Sequence, residues 1–225
     1  MNTKPSTPTP ALYSEAITRF LKADIAGALQ ALDVGELDAE LAQAEKVRHK
    51  ADEAVRQNAD SRLFRAEMLA LEGRFAEARQ SAEAALKLYD FLVRGDAGRY
   101  SVSLAWGFEG AGSVCYAAGQ IDSALDYFAK GLECSGRVRE RENQGILLLH
   151  AALLQNVGAC CYRLGDNAGA LSDLEKAVSL FTVIQELQRR LGTISPFVRR
   201  RHAAALSNLG TAYTKAHRSH GGVRR

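Results

Sequence analysis

The sequence predicts an all-α fold, an α-solenoid of stacked antiparallel helix pairs, on three observations. Good helix formers, chiefly Ala, Leu, Glu and Arg, dominate nearly every segment after residue 10 of the 225-residue chain. A pattern of small and apolar residues recurs with a period of 46 residues, as expected of a repeat architecture. Within each copy the apolar positions lie three and four residues apart, which places them on one helical face, and their register changes at a glycine.

The elements follow in order. MNTKPSTPTP holds three of the four prolines and no apolar stretch like that of a signal peptide, so residues 1–10 read as a disordered tail. Helices are predicted near 11–33 and 36–58. They fit the repeat poorly, and 11–58 reads as a divergent hairpin that caps the array. The first copy, AEMLALEGRFAEARQSAEAAL from Ala66, predicts helices 60–72 and 75–92. In the second, GSVCYAAGQIDSALDYFAKGL from Gly112, helices run over 99–118 and 121–138. The third, GACCYRLGDNAGALSDLEKAV from Gly158, predicts 142–164 and 167–190, with Asp166 placed to cap the second of them. A fourth copy begins at LSNLGTAYTK, where Gly210 and Tyr213 match at a spacing that has slipped to 52, and yields a helix over 197–216 with no second helix after it. The array therefore spans 59–216, and 217–225 is a basic tail.

The 46-residue shift superposes Gly112 on Gly158, Cys115 on Cys161, Tyr116 on Tyr162, Gly119 on Gly165 and Ala124 on Ala170. Gly73, Gly119 and Gly165 mark the hairpin turns. Glycine inside a helix costs about 1 kcal/mol relative to alanine, so Gly112, Gly158 and Gly210 need a reason. Close helix packing supplies one, with Ala124 and Ala170 as the expected neighbours across the hairpins.

The offsets Phe108, Ala111, Gly112, Cys115, Ala124, Phe128 and Leu154, Val157, Gly158, Cys161, Ala170, Leu174 resemble the tetratricopeptide repeat (TPR), whose pattern is W-x2-L-G-x2-Y followed by A-x3-F. The match is strong in two copies, weak in the first and half-present in the last. The usual period is about 34 residues; twelve more, shared by two helices, lengthen each by about 9 Å. The sequence is thus similar to the long-helix arrays of bacterial regulators, such as maltose-activator-type transcription factors and the sensory halves of some diguanylate cyclases. The resemblance implies a right-handed solenoid whose concave surface is lined by the first helix of each pair.

Catalytic chemistry finds little support. Cys115, Cys134, Cys160 and Cys161 form no CxxC pair and lie at no zinc-finger spacing from a histidine, which points to free thiols in a reducing, cytoplasmic compartment. Cys115 and Cys161 read as small hydrophobes inside the hairpins, with Cys160 turned about 100° away. GFEGAGSVCYAAG lacks the third glycine of a dinucleotide fingerprint and follows no strand. No Walker loop, HExxH, GxSxG or paired metal-ligand spacing occurs, and no uninterrupted apolar run approaches the roughly 18 residues of a membrane span. The sequence is read as a non-enzyme with no cofactor, no metal site and no membrane partner.

The candidate binding residues come from the resemblance. Asn156 and Asn208 each lie two residues before a repeat glycine, where peptide-binding members of the family carry an asparagine whose carboxamide grips the ligand's main chain. Glu109, Ser113, Tyr116, Gln155, Tyr162, Arg163 and Thr211 are expected in the same groove, the tyrosines giving apolar contact and Arg163 meeting a carboxylate. The expected function is capture of a peptide or partner protein in this groove, in bacterial regulation or signalling. One alternative is the sensory part of a signalling enzyme, such as a diguanylate cyclase, cut short before its catalytic domain.

The other alternative rests on charge. From Val183 onward nine Lys or Arg face one acidic residue, whereas the preceding chain has 20 basic against 25 acidic residues. This basic end could contact nucleic-acid phosphates, although Phe197 and Tyr213 are its sole aromatics and both fit the apolar face. The last helix carries Ala204, Ala205, Leu206, Leu209, Ala212 and Tyr213 with no second helix to cover them. Self-association through this helix, or a longer parent protein, would account for it.

Overall fold

The computed structural model describes residues 11–32, 34–136, 143–193 and 195–221; the predicted tail 1–10 and the last residues of the basic tail, 222–225, lie outside them. Among the described residues all regular structure is helical: α1 (Ala11–Phe20), α2 (Ile25–Gln30), α3 (Val34–Leu71), α4 (Phe75–Gly95), α5 (Ala97–Ala117), α6 (Ile121–Gly136), α7 (Gln144–Leu164), α8 (Asn167–Arg190) and α9 (Pro196–Gly221). The chain divides into two compact units, Met1–Ala54 and Val55–Arg225.

In the first unit α1 packs on α2, with Ala16 and Ala28 buried. The single helix expected over 11–33 is broken because Ala23 takes a left-handed φ of 61° and Asp24 then caps α2, accepting from the Gly27 amide at 2.9 Å. The break expected between 58 and 60 is absent. Residues 55–62 contain neither glycine nor proline, and α3 runs through the boundary between the units without interruption.

The second unit is the repeat array. Each hairpin turns by the same device, one residue in the left-handed region followed by a return bond to the first helix. At Gly165 φ is +90°, and the Asp166 amide donates to the Cys161 carbonyl at 2.9 Å. The equivalent bonds, Arg74 to Leu69 and Gln120 to Cys115, measure 2.8 and 2.9 Å, so the 46-residue period holds at the level of single hydrogen bonds. Asp166 caps α8 as expected, accepting from the Gly169 amide at 2.9 Å.

Close packing explains Gly112 and Gly158 but not Gly210. A Cβ on Gly112 would stand 2.5 Å from the Phe128 ring, which supplies its three nearest atoms. One on Gly158 would stand 2.7 Å from Leu174 Cγ and 3.2 Å from the Ala170 carbonyl oxygen. One on Gly210 would meet nothing within 4 Å, because no second helix faces it among the described residues.

The core runs through the unit as successive apolar clusters shared between neighbours. Ala66 and Leu69 of α3 join Ala78 and Ala82 of α4 and Val114 of α5. Phe128 of α6 joins Cys115, Leu149, Leu153 and Cys160. Phe181 and Ile184 of α8 meet Ala151 of α7 and Val198 and Ala205 of α9. By length and composition α7 could cross a membrane, yet 56% of its apolar window is buried inside the protein, where α5, α6, α8 and α9 pack on it; its apolarity is that of a core helix. α9 continues past the predicted end at 216, since no glycine or proline follows Gly210 until Gly221.

These contacts set opposite outcomes for two equivalent glycines. Gly158→Ala forces Leu174 aside and is expected to destabilise the chain by about 1–2 kcal/mol after the gain in helix preference is offset. Gly210→Ala enters open space and is expected to stabilise it by up to about 1 kcal/mol. Urea denaturation of both variants measures the difference.

Candidate functional site

The first helices of the pairs lie side by side. Leu63 of α3 fills the space over Gly110 of α5, α5 packs on α7, and α7 packs on α9. The residues that precede the repeat glycines therefore come together on one face. Their side chains meet across helices rather than standing free.

At the centre is Glu109 of α5, 5% exposed. Its Oε1 accepts a bond from Asn156 Nδ2 of α7 at 2.9 Å and another from Arg201 Nη2 of α9 at 3.0 Å. Both bonds are charge-assisted, which offsets the cost of burying the carboxylate. Arg201 also lies over the Phe197 ring, 5.4 Å from its centroid. Glu67 of α3 contributes to the same field: partial desolvation of its carboxyl, and then repulsion from Glu109, raise its pKa, while Arg201 offsets part of that rise.

Towards the hairpin turns the face carries a two-step ladder of cations on tyrosines. Arg163 of α7 lies 5.7 Å from the centroid of Tyr116 on α5, and Lys215 of α9 lies 4.4 Å from that of Tyr162 on α7. Tyr162 follows Tyr116 by one repeat period, and Lys215 follows Arg163 by the 52-residue spacing of the last copy. Each cation thus sits on the tyrosine of the preceding copy. Lys215 also donates to the Tyr162 carbonyl at 3.2 Å.

The structure therefore joins Glu109 to Asn156, and Tyr116 to Arg163, as parts of one face. Ser113 and Asn208 are half-buried on α5 and α9. Gln155, expected to line the groove, is 6% exposed, and its Oε1 is buried without a donor. Thr211 is exposed, and its hydroxyl donates back to the Ser207 carbonyl of its own helix at 2.9 Å.

Sequence reasoning missed Arg201, Lys215 and Glu67. The signal for Lys215 was present, since it falls on the repeat position of Arg163. Arg201 aligns with Leu149 and carries no such sign. Among the described residues of the basic segment, Arg189 and Arg190 pair with Glu186, Arg201 pairs with Glu109 and Lys215 lies on Tyr162, while Arg199 and Arg200 are exposed and have no ion pair.

The four cysteines are free thiols. Burial pushes the Cys160 thiol up to about 12, and burial also raises Cys115 and Cys161. The burial of the vicinal pair is the reverse of that expected: Cys160 is fully buried in the cluster with Cys115, whereas Cys161, expected inside its hairpin, is half-buried at the edge of that cluster. Among the described residues no group of three or more His, Cys, Asp or Glu could hold a metal ion.

Two outcomes follow from the Glu109 cluster. Arg201→Ala leaves a buried carboxylate without its cation and is expected to cost about 2 kcal/mol, below the 3–5 kcal/mol of fully buried pairs because Arg201 keeps a quarter of its side chain exposed. Adding Glu109→Gln should recover part of that loss in a double-mutant cycle read by urea denaturation. For Glu67 the folded-state pKa lies above the unfolded one, so the stability tied to its protonated form is present at low pH and lost as pH rises through the folded value. Glu67→Gln should raise the melting temperature at pH 7 and have less effect below pH 4.

A scan against protein-family models and a search of curated proteins found no match. Among solved structures the chain is similar to a TPR-like protein from Chlorobium tepidum TLS, with a TM-score of 0.53 and 18% sequence identity over 71% of this chain and 97% of that one. At that identity the likeness is one of fold, and the chain has a TPR-like helical fold.

Proposed function

We propose that the Val55–Arg225 unit is a non-catalytic protein-interaction module that takes an extended peptide segment of a partner protein on its first-helix face. One observation carries this reading: Glu109, Asn156 and Arg201, from three successive first helices, converge on that face, and beside Asn156 in the sequence the buried Gln155 oxygen has no donor. A buried acceptor without a partner costs about 1–3 kcal/mol, and a ligand whose binding opens this side chain to one of its own N–H groups would remove that cost. The main chain of an extended peptide supplies N–H donors at regular intervals, and helical repeat arrays of this fold generally serve protein partners. Resemblance to the long-helix arrays of bacterial regulators supports a place in bacterial regulation or signalling, in the cytoplasm.

Selection of a phage-displayed random peptide library on the full chain tests the reading. A family of related peptides should be enriched, and a synthetic member should bind the Gln155→Leu variant roughly tenfold more weakly, a loss of about 1.4 kcal/mol. The variant's melting temperature should hold or rise, since it removes an unsatisfied buried polar group. Asn156→Ala combined with Asn208→Ala should abolish capture while helicity by circular dichroism is retained. Failure to enrich any peptide family, or equal binding to the wild type and to both variants, would overturn it.

A further inference from the structure

We propose a second binding surface, separate from the first-helix face: the outward face of α9 takes an acidic amphipathic helix from a partner protein, which completes the fourth hairpin. The protein's own repeats show what this face is shaped to receive. In α5 and α7 the repeat glycine seats one large side chain of the following helix, Phe128 over Gly112 and Leu174 over Gly158. Gly210 holds the same place in α9, and nothing lies within 4 Å of where its Cβ would stand.

Ala203, Leu206, Gly210 and Tyr213 fall at spacings of three, four and three, one stripe of a helix. Leu206 is 49% and Tyr213 44% exposed, while the opposite stripe, Val198, Ala205 and Ala212, is buried. The Tyr213 hydroxyl donates to the Glu175 carboxylate of α8 at the edge of this stripe, and among the described residues no second helix covers the seat at Gly210.

Charge decides the kind of occupant. α9 contains no acidic residue. Arg199 lies on the same stripe one turn before Ala203, and Arg200 flanks it; both are exposed, and among the described residues neither has an ion pair. Arg199 stands where α7 has Leu147, which shares an apolar cluster and a cavity wall with Leu180 of α8. At the place where α8 carries Leu180 on the cavity it shares with Leu147, the incoming helix carries a carboxylate for Arg199. Two α9 faces opposed in a symmetric dimer would offer Arg199 and Arg200 no carboxylate, since α9 contains none, so a partner with acidic residues fits better than a second copy of this helix. The fitting helix carries Ala-x3-Leu or Ala-x3-Phe, as in Ala170 with Leu174 and Ala124 with Phe128, and an Asp or Glu about six residues later, at the place of Leu180.

The probe is a fluorescein-labelled synthetic peptide of residues 167–190 with Leu180→Glu, titrated by anisotropy into the full chain. Saturable binding is expected, weakened at least tenfold by Gly210→Leu in the protein, whose Cβ meets nothing within 4 Å and whose side chain then occupies the seat. Arg199→Glu should reverse the preference of the wild-type chain for the Leu180→Glu peptide over the unsubstituted one. Absence of binding by either peptide overturns the proposal, as does equal binding to the Gly210→Leu variant. Binding lost in Gln155→Leu but kept in Gly210→Leu would belong to the first-helix face and also overturn it. A dimer in sedimentation analysis that Gly210→Leu disperses would assign the seat to a second copy, against the partner helix proposed.

Discussion

The array depends on the close approach of each first helix to the second at a single glycine. With no Cβ on Gly112 or Gly158, Phe128 and Leu174 reach the backbone of the helix opposite. That contact sets the spacing within a pair, and the turn glycine seven residues later sets its reversal. The return bonds repeat at Leu69, Cys115 and Cys161 with nearly identical lengths, so every pair enters the stack in the same attitude. First helices then lie beside first helices, and residues 47 and 92 apart in sequence can share one carboxylate.

A quasi-one-dimensional array of this kind stabilises each pair through its neighbours. Its surfaces then differ in chemistry by position. The first-helix face gathers Glu109, Asn156 and Arg201 into bonds between pairs, and the Tyr116–Arg163 and Tyr162–Lys215 contacts repeat that linkage towards the turns. The same groups that tie neighbouring pairs together are the polar groups a ligand on this face would meet. α9 ends the described array with its seat unfilled, which is why one repeat glycine costs helix preference without receiving a side chain.

Much of the fold was legible because the repeat writes local rules three times. Glycine at the turn and small residues at the hairpin contact are each decided within a few residues, as is the Asp166 cap of the third copy, and the helices of the second and third pairs lie within a few residues of their predicted limits. The N-terminal part was less legible. The chain breaks at Ala23, a residue with no intrinsic preference for a positive φ, and continues as helix through 58–60, where the expected turn has neither glycine nor proline to support it. In the candidate site, Asn156, Glu109, Tyr116 and Arg163 were found through the repeat. Arg201 was not, because it aligns with a buried leucine and gains its role from a neighbour 92 residues away.

By itself, the sequence determined the helical class, the period and the residues at each repeat position, since these follow from local backbone preference and the spacing of apolar side chains. Only the tertiary structure decided which of those residues meet. It paired Asn156 with Glu109, buried Gln155 without a donor, placed Lys215 on Tyr162 and left Gly210 open. Those outcomes depend on the stacking of one pair on the next, and contacts between side chains far apart in the chain are set by that packing.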